Sequence, residues 1–360
     1  MKSEQKVEQC INRHKAFFAS KKPGLLTLLN YRYGSAVPEK LPIDSIDWTD
    51  ETSIERFAES QYQMFAALNR KYEKEDDDYL PWMGIQVGTG SIGASYLKDC
   101  GRVQMHYESI TDWMDPPVMN WDDMDNIGFN PENPYFKALF QVTRYLVDRC
   151  NGNYGIRNYP HFNALDLANQ FRGNELFTDI YDEPDNMLEM LKRNNQTIIE
   201  MEEYIQKNLI KPAGVFGSVC GIYINNGVYL SCDAGDMVGP DSLRDFGWAE
   251  MQALCRRFTG AFLHHHEMGI STLPVWGKMN ELTIQHLMRD PNTAHLDECI
   301  NQQIIESSLN VPVLFYTSYA EYMKLAPYWA QGRFAVRVDV FDDEQARNVL
   351  RTANKFRDYL

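Results

Sequence analysis

Three consecutive histidines followed by a glutamate, His264 to Glu267, are the part of this sequence best suited to chemistry. Successive side chains of a β-strand point to opposite faces, so His264 and His266 would share one face and His265 would take the other. Two imidazoles on one face can bind a divalent metal ion when a carboxylate completes the coordination. The alternative is a metal-free polar site in which one histidine is a general acid or binds substrate.

Carboxylates near the ends of other strands could complete this site. Asp233 follows an apolar segment, Asp236 comes three residues later, and Asp339 lies in the last apolar segment of the chain. Asp233 and Asp236 could also act as paired carboxylates in proton transfer. Neutral imidazole with carboxylate suits Zn²⁺. The residues predicted to bind zinc are His264, His266 and Asp339, and those predicted to be catalytic are His264, His266, Glu267 and Asp233.

The elements that must position these residues alternate between short apolar strands and amphipathic helices from residue 79 onward. The predicted strands are residues 82–87, 102–107, 154–159, 228–232, 261–266, 282–286, 311–316 and 334–341. About eight strands, each followed by a helix or a long loop, predict an α/β fold of the (β/α)8 TIM-barrel type. Catalytic residues of such barrels lie at the carboxyl ends of the strands, where the histidines and Asp233 occur.

Residues 1–78 have a different pattern and are predicted to be an N-terminal helical extension packed on the barrel of residues 79–360. Ile54, Phe57, Met64 and Leu68 recur near helical spacing and form one apolar face. The charged run at residues 73–78 marks the boundary between the two parts.

Composition restricts the partners and the compartment. The formal net charge of −15 disfavours nucleic acid and anionic membranes, so a small-molecule substrate is expected. The chain has 7 cysteines, dispersed and without a C-x-x-C pair, which is typical of reduced thiols in a cytoplasmic protein. The 44% of apolar residues are enough for a large core.

A glycine-rich segment offers a competing function. The segment from Gly88 to Gly93 matches G-x-G-x-x-G, and Glu108 follows about 20 residues later. This is the pattern of a dinucleotide-binding loop with its ribose-binding acid. The following helical segment is short for such a unit, and the glycines could equally allow a loop to approach a substrate closely.

Four segments, in order along the chain, carry a family resemblance. The clearest is ALDLANQFRGNELFTDIYDEP, from Ala164 to Pro184, and the second is SCDAGDMVGP, from Ser231 to Pro240, before a helix. The others are the opening RHKAFF from Arg13 and the last strand with its following helix. Together these segments resemble the uroporphyrinogen decarboxylase superfamily, which implies a (β/α)8 barrel over most of the chain.

The resemblance implies one of two activities. One branch decarboxylates the acetate groups of a porphyrinogen without a cofactor, and the other transfers methyl groups to or from a corrinoid protein or a thiol with the help of zinc. The methyltransferases carry H-x-C-G on strand five, where this chain has His264 to Gly269, HHHEMG. Any metal would therefore be held by imidazole and carboxylate rather than by thiolate.

These observations predict a methyltransferase-like enzyme that moves a methyl group from a small methoxy or methylamine-type substrate to a corrinoid partner protein or a thiol. The predicted substrate-binding residues are Tyr159, Phe162, Arg172, Asp236, His286 and Tyr316. A cofactor-free decarboxylase (a carboxy-lyase) is the alternative, with Arg32 and Arg172 as candidate clamps for substrate carboxylates. A non-catalytic tetrapyrrole- or corrinoid-binding module is a further one.

Overall fold

A sheet of seven parallel strands forms the centre of this α/β protein. The computed structural model describes residues 4–34, 36–72, 75–150, 154–157, 159, 161–209, 211, 217–225, 227–290 and 300–357. The strands are β1 (Gly24–Tyr31), β2 (Trp82–Met83), β3 (Met105–Tyr107), β4 (Asp112–Met114), β5 (Gly155–Ile156), β6 (His161–Phe162), β7 (Ser218–Val219), β8 (Ile222–Tyr223), β9 (Val228–Ser231), β10 (Ala261–His266), β11 (Ile284–Met288), β12 (Val313–Ser318) and β13 (Arg333–Val340). The main sheet has the order β1-β13-β12-β11-β10-β9-β6.

Helices connect and cover these strands. They are α1 (Glu4–Ala19), α2 (Glu51–Lys71), α3 (Thr89–Ala94), α4 (Pro134–Cys150), α5 (Ala164–Arg172), α6 (Leu176–Asp182), α7 (Pro184–Asn208), α8 (Asp233–Met237), α9 (Pro240–Phe246), α10 (Trp248–Arg257), α11 (Leu273–Trp276), α12 (Gln302–Ser308), α13 (Tyr319–Trp329) and α14 (Asp343–Ala353). Short 3-10 helices occur at Ile43–Ser45, Trp121–Asn126, Gly173–Glu175, Glu267–Thr272 and Asn354–Phe356.

Local sequence explains where several helices begin. The Asp50 carboxylate accepts hydrogen bonds from backbone N–H groups of the first turn of α2, and Asp342 caps α14 in the same way. Ser318 and Glu321 form a reciprocal capping box at the start of α13. Pro184 occupies the first position of α7, where a missing N–H costs nothing.

The prediction of an entirely helical N-terminal segment is wrong at β1. Residues Gly24–Tyr31 pair with β13 along their whole length, so this segment belongs to the main sheet. Every residue of β1 is buried. A strand that is buried on both faces shows a continuous apolar run without alternation, which a buried helix can show as well.

Three further strand predictions need correction. Only Trp82–Met83 of the segment predicted at 82–87 forms a strand, β2, and it lies outside the main sheet. Residues 105–107 form one arm of a short antiparallel hairpin with β4, outside the main sheet. The segment predicted at 154–159 contains β5, which pairs with β2 in a separate two-stranded parallel sheet. In contrast, the five predicted strands from residue 228 onward are confirmed as β9 to β13.

The edge of β1 that faces away from β13 is covered by two acidic side chains. Backbone N–H groups of Thr27 and Leu29 donate to the carboxylates of Asp78 and Asp77, each over 2.8 Å. Asp78 also donates its own N–H to the Thr27 carbonyl. Side chains thus satisfy backbone groups that a neighbouring strand would otherwise pair with. Within the described residues, the strands do not close into a complete barrel.

Strand register defines the face of the main sheet that carries the candidate site. His264 lies beside His286 on one side and Ser231 on the other. On the same face, Tyr316 lies beside Arg337. We call this the site face, and the opposite face of the sheet packs against helices.

Candidate metal centre at the strand ends

The end of β10 and the start of α8 bring two imidazoles and a carboxylate together. His264 and His266 both lie on the site face, with ring centroids 5.1 Å apart. Asp233 Oδ1 lies 3.8 Å from His264 Nε2 and 3.7 Å from His266 Nε2. One ligand atom from each of these residues lies within 4.8 Å of the other two. The prediction that His264 and His266 share one face of the strand is therefore confirmed.

Neighbouring side chains hold both rings with their Nε2 atoms toward Asp233. His266 Nδ1 lies 2.6 Å from Asp290 Oδ1, and an ionised carboxylate only accepts, so Nδ1 carries the proton. His264 Nδ1 lies 2.9 Å from His286 Nδ1, where one ring donates and the other accepts. A partner on the second ring nitrogen fixes tautomer and orientation in the way that metal-binding histidines require.

The backbone at the end of β10 is fixed by Asp236. Its Oδ2 accepts the N–H of His266 over 2.6 Å, and its Oδ1 lies 3.3 Å from His265 Nδ1 on the opposite face of the strand. A Cβ on Gly269 would lie 1.7 Å from Asp236 Oδ1, so only glycine allows the following turn to pass this carboxylate. Asp236, which was predicted to bind substrate, makes contacts that position the strand carrying the histidines.

Asp166 is a buried carboxylate that sequence reasoning did not assign to the site. It accepts the Ala234 N–H at 2.6 Å and the Ser231 hydroxyl at 2.8 Å, and Ser231 Oγ is 3.1 Å from Asp233 Oδ1. Burial, and then the nearby Asp233 carboxylate, raise the pKa of Asp166 to about 7. The only sequence signal for Asp166 was its place in the segment from Ala164 to Pro184. That segment did not show that Asp166 would contact the end of β9.

The two cluster histidines have opposite electrostatic environments. Burial, followed by the neighbouring imidazoles, lowers the pKa of His264 to about 3. Burial also acts to lower the pKa of His266, but Asp233 and Asp290 outweigh it and the pKa is raised. Burial raises the pKa of Asp233, against the influence of His266. The His264 imidazole is consequently neutral over the whole physiological range.

The donor set fits a zinc ion. Zinc binds imidazole nitrogen and carboxylate oxygen at about 2.0–2.2 Å in a tetrahedron, which separates its ligand atoms by about 3.4 Å. The carboxylate-to-imidazole separations here are 3.7 and 3.8 Å, and only small side-chain rotations would be needed. Three protein ligands leave a fourth position for water or substrate, as in catalytic zinc sites.

Three residues that were predicted to bind substrate, His286, Tyr316 and Phe162, lie on or near the site face. The His286 ring is 5.4 Å from the Tyr316 ring, and Phe162 lies beside Ser231 in register. Glu267 is buried and begins the 3-10 helix after β10, but it is not among the described groups whose ligand atoms converge.

Asp339, Arg172 and Tyr159 have structural partners, and Asp339 is not part of the cluster formed by the two histidines. Asp339 accepts from Asn30 at 2.5 Å and pairs with Arg32 at 3.0 Å, so Asp233 rather than Asp339 is the carboxylate of the cluster.

Arg172 forms a buried ion pair with Asp179 at 2.7 Å, and it donates to the carbonyls of Val118 and Met119. Tyr159 is buried, donates to Ser95 Oγ at 2.9 Å and packs near the Phe136 ring. These contacts give both residues a structural role.

The glycine segment from Gly88 does not have the geometry of a dinucleotide site. The helix that follows has six residues, and the Asp112 carboxylate accepts the N–H and the hydroxyl of Ser91 over 2.6 and 2.8 Å. A Cβ on Gly88 or Gly90 would collide with the backbone of residues 112–113. An internal carboxylate therefore occupies the position of a phosphate, and the glycines allow close packing of β4.

Comparison with protein-family models and with curated protein sequences found no match to this chain. No helix among the described residues is both long enough and apolar enough to cross a membrane.

Proposed function

We propose that this protein is a zinc-assisted methyltransferase of the uroporphyrinogen-decarboxylase-like type, with its parallel strands arranged as a (β/α)8 barrel. In that arrangement, β2 and β5 lie between β1 and β6 and complete the cylinder. The observation that carries the proposal is the convergence of His264, His266 and Asp233 at the carboxyl ends of β9 and β10. The reaction class rests on the resemblance of several chain segments to that superfamily.

The reaction proposed is transfer of a methyl group from a heteroatom of a small methoxy or methylamine-type substrate. The bond between carbon and heteroatom breaks, its electron pair stays on the heteroatom, and the methyl group passes to a nucleophile on a corrinoid partner protein or a thiol. Bound zinc would supply Lewis acidity at the heteroatom. The leaving heteroatom then takes up a proton.

The chain's own residues prepare the site for this reaction. Asp290 and His286 orient the two ligand rings through their Nδ1 atoms. Asp166, with a pKa of about 7, can hold or release a proton near neutral pH, and Ser231 connects it to Asp233. The Tyr316 ring beside His286 offers an apolar surface for the substrate.

The test combines metal content with a methyl-transfer assay. We expect protein purified without a metal-affinity tag to hold about one zinc per chain, as measured by elemental analysis. His266→Ala should lose the metal, whereas His106→Ala, which removes a histidine on the β3–β4 hairpin paired with Asp115, should retain it. Reduced free cobalamin serves as acceptor, and methylcobalamin formation is followed spectroscopically with methoxylated and methylamine donors.

Two outcomes would reject the proposal. Zinc content near zero in the wild-type protein would remove the metal site, and carbon dioxide release by such a metal-free protein would favour the decarboxylase. Turnover by a folded His266→Ala variant at the wild-type rate would remove β10 from the mechanism.

A further inference from the structure

Arg337, on the site face of β13, is a buried cation without a carboxylate partner among the described residues. The residue is 8% exposed, and its Nε atom has no hydrogen-bond partner there. Its two terminal nitrogens make only long contacts, each of 3.4 Å, with the Tyr316 hydroxyl and Asn30 Oδ1. A guanidinium offers five N–H donors, and burying it uncompensated is costly.

Aromatic rings hold this guanidinium without neutralising it. Its central carbon lies 5.1 Å from the Tyr72 ring centroid, 5.6 Å from Tyr79 and 5.3 Å from Tyr316. Cation–π contacts of this kind stabilise the charge in part. The Nε–H has no acceptor among the described residues and the terminal N–H groups make only the two 3.4 Å contacts, so these donors remain available to an anion.

A second arginine approaches the same region. Arg157 lies 4.7 Å from the Tyr229 ring and donates to the Ile85 carbonyl, and its buried Nε has no partner among the described residues. Burial raises the pKa of the Cys220 thiol, and the two influences that most oppose burial there are Arg337 and Arg157. Both cations therefore act on one side chain, and each lies against a tyrosine of the site face, Tyr229 or Tyr316.

Two aromatic contacts connect these arginines to the histidine cluster. Tyr316 packs against both Arg337 and His286, and Tyr229 packs against both Arg157 and His264. The Tyr316 ring is 5.4 Å from the His286 ring and 5.3 Å from the Arg337 guanidinium, so these two groups are at most about 11 Å apart. A single-ring carboxylic acid could bridge from the guanidinium to the cluster.

We propose that Arg337 and Arg157 form a carboxylate-binding subsite, and that the substrate is a small aromatic carboxylic acid whose opposite end reaches His264 and His266. This inference rests on the proposed function for the identity of the reacting end, but not for the carboxylate end. The planar fork of arginine matches a carboxylate with two parallel hydrogen bonds, and the tyrosine rings suit a flat apolar body.

The test uses benzoate as the probe and thermal unfolding and calorimetry as the readouts, with protein from which zinc has been removed by a chelator. Millimolar benzoate should raise the melting temperature of the wild-type protein. Arg337→Met should weaken benzoate binding at least tenfold, and Arg157→Met should weaken it too. Arg337→Lys should retain part of the binding, because lysine keeps the positive charge but lacks the two parallel N–H donors of the guanidinium.

Two controls separate a binding role from a structural one. Arg337→Met without ligand should melt at or above the wild-type temperature, because it removes an unpaired buried charge. Arg32→Gln removes a half-exposed arginine that is already paired with Asp339, and it should bind benzoate as the wild type does.

The inference is overturned if benzoate gives no shift, if Arg337→Met binds it with unchanged affinity, or if phosphate binds and benzoate does not. Because the assay needs neither zinc nor turnover, it is independent of the metal proposal. A protein that binds zinc and ignores benzoate would refute only this subsite, and one that binds benzoate and no zinc would refute only the metal centre.

Discussion

His266 Nδ1 and Asp290 Oδ1 lie 2.6 Å apart, joining the ends of two neighbouring strands, β10 and β11. The pair presents His266 Nε2 to Asp233. Asp290 Oδ2 also accepts the Met268 N–H at 3.2 Å, so one carboxylate fixes both the ring and the turn that follows it. The pair thus restrains the candidate metal site.

Removing the charge of Asp290 should weaken zinc binding without removing a ligand. We expect Asp290→Asn to lower zinc affinity by about 10- to 100-fold, the usual effect of losing a carboxylate that orients a ligand histidine. Competition against a chromophoric chelator measures the change. Asp115→Asn, which breaks the His106 pair on the β3–β4 hairpin, is the matched control and should have no effect. Equal affinities for Asp290→Asn and the wild type would show that the pair does not organise the site.

A methyl group at Gly269 should disturb the end of β10. The added Cβ would overlap Asp236 Oδ1, which forces that carboxylate away from the His266 N–H. We expect Gly269→Ala to cost about 1–3 kcal/mol of unfolding free energy, typical of overpacking, and to weaken zinc binding. Gly239→Ala is the control, since a Cβ added there would meet no atom within 4 Å, and as a change at the N-cap of α9 it should cost less than about 1 kcal/mol. Urea denaturation distinguishes the two, and equal stability would contradict the assigned contact.

Breaking the ion pair of Arg172 and Asp179 should affect stability rather than binding. Both side chains are 9% exposed, so removing one leaves a buried charge without its partner. Arg172→Met should cost about 3–5 kcal/mol, and the double variant Arg172→Met with Asp179→Leu should recover part of that loss. Zinc and benzoate binding by the folded variants should be unchanged. Loss of benzoate binding by the double variant would restore a substrate-binding role to Arg172.

Acid should weaken the fold through Asp78. Burial acts to raise the pKa of this carboxyl group, but Arg357 and Arg13 outweigh burial and hold it below its usual value. A lowered folded-state pKa stabilises the protein above the unfolded-state value of about 3.9, and the stabilisation is lost as pH falls through the folded-state pKa.

We therefore expect Asp78→Asn to cost about 3–5 kcal/mol near neutral pH, with the difference from wild type shrinking below about pH 4. Unfolding free energies measured by urea denaturation across this range provide the check. Asp125→Asn breaks an exposed pair with Arg193 and should cost less than about 1 kcal/mol at any pH. A difference between Asp78→Asn and wild type that stays constant down to pH 2 would exclude this linkage.

The correctly predicted parts of the structure are those with a clear local pattern in the sequence. The strands β9 to β13, the face shared by His264 and His266, and the start of α7 at Pro184 all follow from local alternation, apolar runs and cap chemistry. Each of these features depends on residues within a few positions of one another, so the sequence alone is sufficient.

The tertiary structure decided which carboxylate lies beside the two histidines. The sequence analysis assigned Asp339 to the metal and Asp233 to catalysis, but Asp233 follows β9, which adjoins β10, whereas β13 lies three strands from β10 in the sheet. With strands about 4.8 Å apart, that order alone separates the two acids by about 14 Å along the sheet. Sequence could not reveal β1 either, because burial on both faces removes the alternation that marks a strand. The sequence by itself determined which side chains can share a face, and the order of strands in the sheet decided which of them meet.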